Sequence, residues 1–213
     1  MLLRVSADKL SGMAGSDAKA ELHEYLREVR EAVLWKLDGL SEYDVRRPLT
    51  PTGTNLLGLI KHLGDIEIGY FGDVFERPFG GPLPAGFGDD AEPNAGFWAT
   101  PAETREQIVG FYRQACAHSD ATIEALALDA TGHVPWWGEQ GTDVTLHRML
   151  VHVIVETSRH AGHADIVREL IDGTAGLRPQ SDNLPSSDEA WWRSYRDRLE
   201  HIAREATARG DEP

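Results

Sequence analysis

The sequence predicts an all-α fold, an antiparallel four-helix bundle with an additional C-terminal helix. Three observations predict it. Apolar residues recur at spacings of three and four in five separate segments, and capping residues flank those segments. No stretch shows the alternation of apolar and polar residues, bounded by turns, that marks a half-buried strand. With 213 residues, 41% hydrophobic and 26% charged, the chain reads as one globular domain over 1–213 with its core at about 19–175.

The elements follow in order. AELHEYLREVREAVLWKLDGL places Leu22, Tyr25, Leu26, Val29, Val33, Leu34 and Leu37 on one helical stripe, and Gly39 favours a stop. SEYDVRRPLTPTGT reads as a short connection whose last residue, Thr54, caps a second helix, NLLGLIKHLGDIEIGYFGDVF. Glu76 to Thr100 is rich in Gly, Pro and Asp and reads as a long surface loop, of a length that usually serves function, such as a lid. Thr100-Pro101-Ala102-Glu103 has the form of a capping box with Pro in the first turn, so a third helix is expected from there to about Leu126. DATGHVPWWGEQGTD is irregular, and VTLHRMLVHVIVETSRHAGHADIVRELIDG is the central helix, closed by a glycine in the C-cap position. The last helix, at about 188–209, carries Trp191, Tyr195, Leu199 and Ile202 on one stripe.

Composition restricts the partners. Asp and Glu outnumber Lys and Arg by 35 to 21, a formal charge of -14, which repels a phosphate backbone and argues against nucleic acid. MLLRVSADKL is too short and too charged for a secretory leader, and no run approaches the ~18 apolar residues of a membrane span. A cytoplasmic protein with no membrane partner is expected. The single cysteine, Cys116, leaves no internal disulfide and no thiolate cluster, and reads as a small packing residue. A bound metal would have to use histidines and carboxylates, and the chain has nine histidines.

Position selects among them. At about 100° per residue, His152, Glu156, His160 and His163 share roughly an 80° arc of the central helix. Glu156 and His160, at i and i+4, can reach one ion together. His62 lies mid-helix with Leu59, Ile66 and Tyr70 near it in angle, and is the best third donor. Two His and one carboxylate would leave positions open for water or substrate. Spacing alone equally allows a hydrogen-bonded core histidine at His62 and an ordinary intrahelical Glu156–His160 pair. Trp136-Trp137 reads as a loop anchor or as the mouth of a pocket.

LLGLIKHLGDIEIGYF and MLVHVIVETSRHAGHADIVRELIDG resemble the two signature segments of the DinB-like superfamily, in its actinobacterial mini-circle-protein branch, and the likeness runs from about Glu21 to Gly173. The resemblance implies the bundle fold, a homodimer, and a divalent metal, zinc or nickel, at the positions of His62, Glu156 and His160. Many members have His where this chain has Glu156, but the similar mycothiol-dependent maleylpyruvate isomerases use Glu there with zinc. Those relatives imply mycothiol as a cosubstrate whose metal-bound thiol attacks a small electrophile. Outside the matched ligand set, His163 and His152 are candidates to orient the ligands or transfer protons, and Arg159 to meet an anionic substrate or cofactor. Three functions stay open: a thiol-dependent transferase or isomerase acting on a small molecule, a non-catalytic metal-binding module connected with stress, and a metal-dependent hydrolase using bound water.

Overall fold

The long helices up to Asp172 form where an apolar stripe can be buried, whereas Leu199 and Ile202 of the expected stripe of the last helix are exposed. The computed structural model describes residues 18–88, 91–179 and 182–210; the first residues of the chain, read above for a leader, lie outside these. In α1 (Ala18–Leu34), His23, Leu26, Arg30 and Val33 are buried at spacings of three and four, whereas Tyr25 faces solvent. The connection that follows holds a short helix, α2 (Glu42–Arg46), capped by Ser41.

Next comes α3 (Leu56–Phe71), whose cap is Asn55 rather than Thr54: the Asn55 side chain accepts a hydrogen bond from the Gly58 N–H at 2.8 Å. Thr54 belongs to the preceding turn, its N–H donating to Thr50 Oγ1 and its carbonyl accepting from Leu49. The third long helix, α4 (Arg105–Ala125), begins five residues after the expected Thr100. Thr104 and Gln107 form its capping box, and Glu103 is used elsewhere. The central helix α5 (Leu146–Asp172) is capped by Thr145 and stopped by Gly173 in the left-handed conformation, φ 75°, which glycine adopts without steric cost.

The chain is not all-α. Between α4 and α5, β1 (Thr131–Val134) and β2 (Thr142–Thr145) pair antiparallel, Thr131 opposite Thr145 and Val134 opposite Thr142. Each strand is four residues long and buries one valine, Val134 or Val144, so there is no alternation long enough to read. The hairpin survives because those valines join the core around Leu26, Phe71, Leu146 and Val153.

Within the unit that ends at Ala175, α3 packs on α4 and α5, and α1 packs on α5. A Cβ at Gly64 would lie 2.3 Å from the Phe111 ring, so α3 and α4 approach closely there. A second unit starts at Gly176. It carries α6 (Glu189–Gly210), in which Trp191 stacks on Tyr195 and Trp192 meets both edge-on. Among the described residues no helix is long and apolar enough to cross a membrane.

One ion network crosses the core. Arg30 of α1 grips Glu67 of α3 with two bonds of 2.7 Å and reaches Asp120 of α4 at 2.6 Å, while His23 meets the same Asp120 at 2.7 Å. Arg30→Ala would leave the Glu67 carboxylate buried without its partner and is expected to cost about 3–5 kcal/mol, measured by urea denaturation. Burial alone would raise the pKa of Asp120, but the His23 hydrogen bond and the Arg30 charge outweigh it and hold the carboxyl below its usual value. Its contribution is therefore complete above about pH 4 and is lost as the pH falls through the folded value. Asp120→Asn should flatten the fall of unfolding free energy with pH in that acid range.

Candidate metal centre

α3 and α5 bring three of the expected residues together. One donor atom each of His62, Glu156 and His160 lie within 4.8 Å of one another. His160 Nε2 is 3.1 Å and His62 Nε2 3.8 Å from the same oxygen, Glu156 Oε1, and the two rings meet edge-on with centroids 4.9 Å apart. Their side chains are 15% (His62), 29% (Glu156) and 10% (His160) exposed, which leaves the carboxylate side the most open to a ligand.

Burial sets the charge state. It pushes the His62 pKa down to about 4, helped by the neighbouring His160 and opposed by Glu156. His160 is lowered too, by burial first, against the pull of Glu156. Both imidazoles are thus neutral at pH 7, the protonation state that metal binding by histidine requires, and an ion would take the place of the proton that His160 Nε2 shares with Glu156. Two neutral imidazoles and one carboxylate converging on a single point fit a zinc-like ion with a position left over.

The other expected residues surround this point at different depths. His163 lies one turn beyond His160, the two Nδ1 atoms 3.3 Å apart, and lines a cleft of about 590 Å³ with Leu59, Thr54, Asn55, Phe97 and Trp98. His152 is outside the converging group, edge-on to Tyr70 and Trp137 at 4.7 and 4.8 Å, and burial lowers its pKa against the pull of Glu156. Arg159 is exposed. Cys116 packs from α4 against the core, where burial, followed by the Glu67 charge, raises its thiol far above the ordinary value.

Trp136 and Trp137 both donate their indole N–H to the Tyr70 hydroxyl, at 3.4 and 3.1 Å, so they anchor the hairpin segment to α3. Phe97 escaped the sequence reading altogether. Its ring stacks on His62, centroids 4.0 Å apart and planes within 22°. The available signal lay in α3 itself, where Gly58 and Lys61 interrupt an otherwise apolar stretch beside His62.

A model of the mycothiol-S-transferase family matches residues 21–173. The chain belongs to this family. The mycothiol-S-transferase family lies within the DinB-like superfamily, and the matched span contains all three converging donors and the Phe97 loop. The crystal structure of a conserved protein of Enterococcus faecalis is similar in fold, with a TM-score of 0.53 over 75% of this chain and 100% of that one, at 15% identity. No curated protein matches the chain.

Tyr70→Phe would remove the acceptor of both indole N–H groups while keeping the ring. It is expected to destabilise the protein by about 1–3 kcal/mol, read from the denaturation midpoint.

Proposed function

We propose that this chain is a metal-dependent transferase that joins mycothiol to a small electrophile, with His62, Glu156 and His160 holding a divalent ion, zinc or nickel. The observation that supports this most is the meeting of two neutral imidazoles and one carboxylate, from two helices, inside the span matched by the mycothiol-S-transferase family. We place the site in an antiparallel four-helix bundle of α1, α3, α4 and α5, with its core at about 19–175.

The ion would lower the pKa of a bound thiol, so that a sulfur nucleophile is available at neutral pH without a cysteine from the protein. The protein's own residues hold and shape. His62 and His160 enter from opposite helices, Glu156 balances part of the charge, and His163 steadies His160 through its Nδ1. The adjoining cleft, about 590 Å³ and walled by Leu59, Phe97, Trp98 and Pro48, has the size and apolar lining of a small-molecule site. Arg46, its cation, is engaged with the carbonyls of Ala99, Thr100 and Glu103, which favours an uncharged electrophile. In the transfer the sulfur bonds to the electrophilic carbon, the leaving group departs with its electron pair, and the thiol proton passes to solvent. Where the electrophile is an activated alkene, addition followed by expulsion of the thiol gives isomerisation instead.

Purified protein is expected to contain near-stoichiometric zinc or nickel and to accelerate conjugation of mycothiol to a fluorogenic alkylating reagent. Chelation should abolish the activity and the metal should restore it, while His62→Ala and Glu156→Ala should lose bound metal by elemental analysis. Unchanged metal content in both variants would sink the site. Metal without thiol-dependent turnover would favour the binding module, and ester or amide cleavage without thiol would favour the hydrolase.

A further inference from the structure

The loop from Glu76 to Thr100 ends in a segment held far more tightly than a surface loop needs. Its four successive carbonyls, Phe97 to Thr100, all accept side-chain donors: Asn55 Nδ2 at 3.1 Å, Lys61 Nζ at 2.9 Å, and Arg46 at 3.4 and 3.2 Å. The middle of the loop and its end also meet one carboxylate. Glu103 accepts the N–H of Ala85 at 2.9 Å and of Thr100 at 2.7 Å, and pairs with the buried Lys61 ammonium at 3.1 Å. At Gly58, a Cβ would stand 1.8 Å from the Phe97 carbonyl oxygen, so only glycine lets the segment lie this close to α3.

This anchorage delivers the Phe97 ring onto His62. The two candidate histidine ligands are steadied differently: His160 has His163 at its second nitrogen, whereas the His62 ring stands 3.8 Å from the Glu156 carboxylate and is covered by a phenyl face. An imidazole turns about its Cβ–Cγ bond in a broad, roughly two-fold well. A ring stacked at 4.0 Å restricts that turn and keeps Nε2 on the Glu156 side.

We infer that residues 97–100 form a strap that fixes the His62 ring for the metal, which makes Phe97, Glu103, Lys61 and Gly58 positioning residues of the centre. The inference rests on the metal reading above. It assigns to a phenyl ring the part that a hydrogen-bonded partner plays behind most histidine ligands, where losing the partner costs about 10- to 100-fold in affinity.

The test is zinc affinity by competition with a chromogenic chelator, together with the visible absorption of the cobalt-substituted protein and amide exchange over 97–100. Gly58→Ala and Glu103→Ala should release the strap, seen as faster exchange, and weaken zinc about 10- to 100-fold. Phe97→Leu leaves every strap anchor in place, so it should keep slow exchange yet show the same weaker binding and an altered cobalt spectrum. Phe97→Tyr, which retains the ring face, should restore both. If the wild type takes up neither zinc nor nickel, the metal reading and this inference fall together. If the wild type binds and Phe97→Leu binds equally tightly with an unchanged cobalt spectrum, the strap inference alone is overturned.

Discussion

The burial of α3 is the constraint on which the rest depends. Twelve of its sixteen residues are buried, so the polar side chains that it sinks must find partners inside the protein. Each partner then places something. Glu67 draws in Arg30 and through it ties α1 to α3 and α4. Lys61 draws in Glu103 and the Trp98 carbonyl, which fixes the end of the long loop. His62, between them in sequence, meets the Glu156–His160 pair of α5 and has its charged form suppressed by the same burial. The candidate site and the core network are thus two results of sinking one helix that carries Lys61, His62 and Glu67.

How far this was legible depends on whether a feature is local. The α1 stripe apart from Tyr25, the span of α5, the Gly173 stop and the Glu156–His160 spacing are all periodic or adjacent in sequence, and they appear where expected. His62 could be placed mid-helix, but its meeting with α5 is tertiary, and the choice between metal ligand and core histidine could not be made from spacing. The hairpin was invisible because each strand buries a single valine. Thr100 and Glu103 resemble a helix start because the local hydrogen bond of a capping box is present, the Thr100 N–H donating to Glu103 at 2.7 Å, but the carboxylate is drawn to Lys61 and the helix waits for Thr104. Gly58 and Lys61 mark that something lies against α3 there, but nothing in a Gly- and Pro-rich loop tells that it is Phe97 that folds back onto the helix.

The two histidines of the centre show how unlike environments produce like chemistry. His160 lies on a helix face next to its own carboxylate and another imidazole, all supplied by one segment of sequence. His62 is covered by the Phe97 ring and owes its neutrality mostly to exclusion from water. A site assembled from one self-contained helix and one histidine delivered by packing can keep its core spacing while the delivering side varies. The family match spans both segments and ends at Gly173, before α6.

The state of Cys116 bears on survival. A protein that handles thiol-reactive compounds is exposed to its own substrates, and an accessible thiolate on its surface would be modified along with the cosubstrate. Here the only cysteine is packed against the core, and burial keeps its sulfur protonated, in the form that reacts slowest with electrophiles. By taking the nucleophilic sulfur from a diffusible molecule and shielding its own, such a protein would consume a replaceable thiol and remain chemically intact through successive encounters.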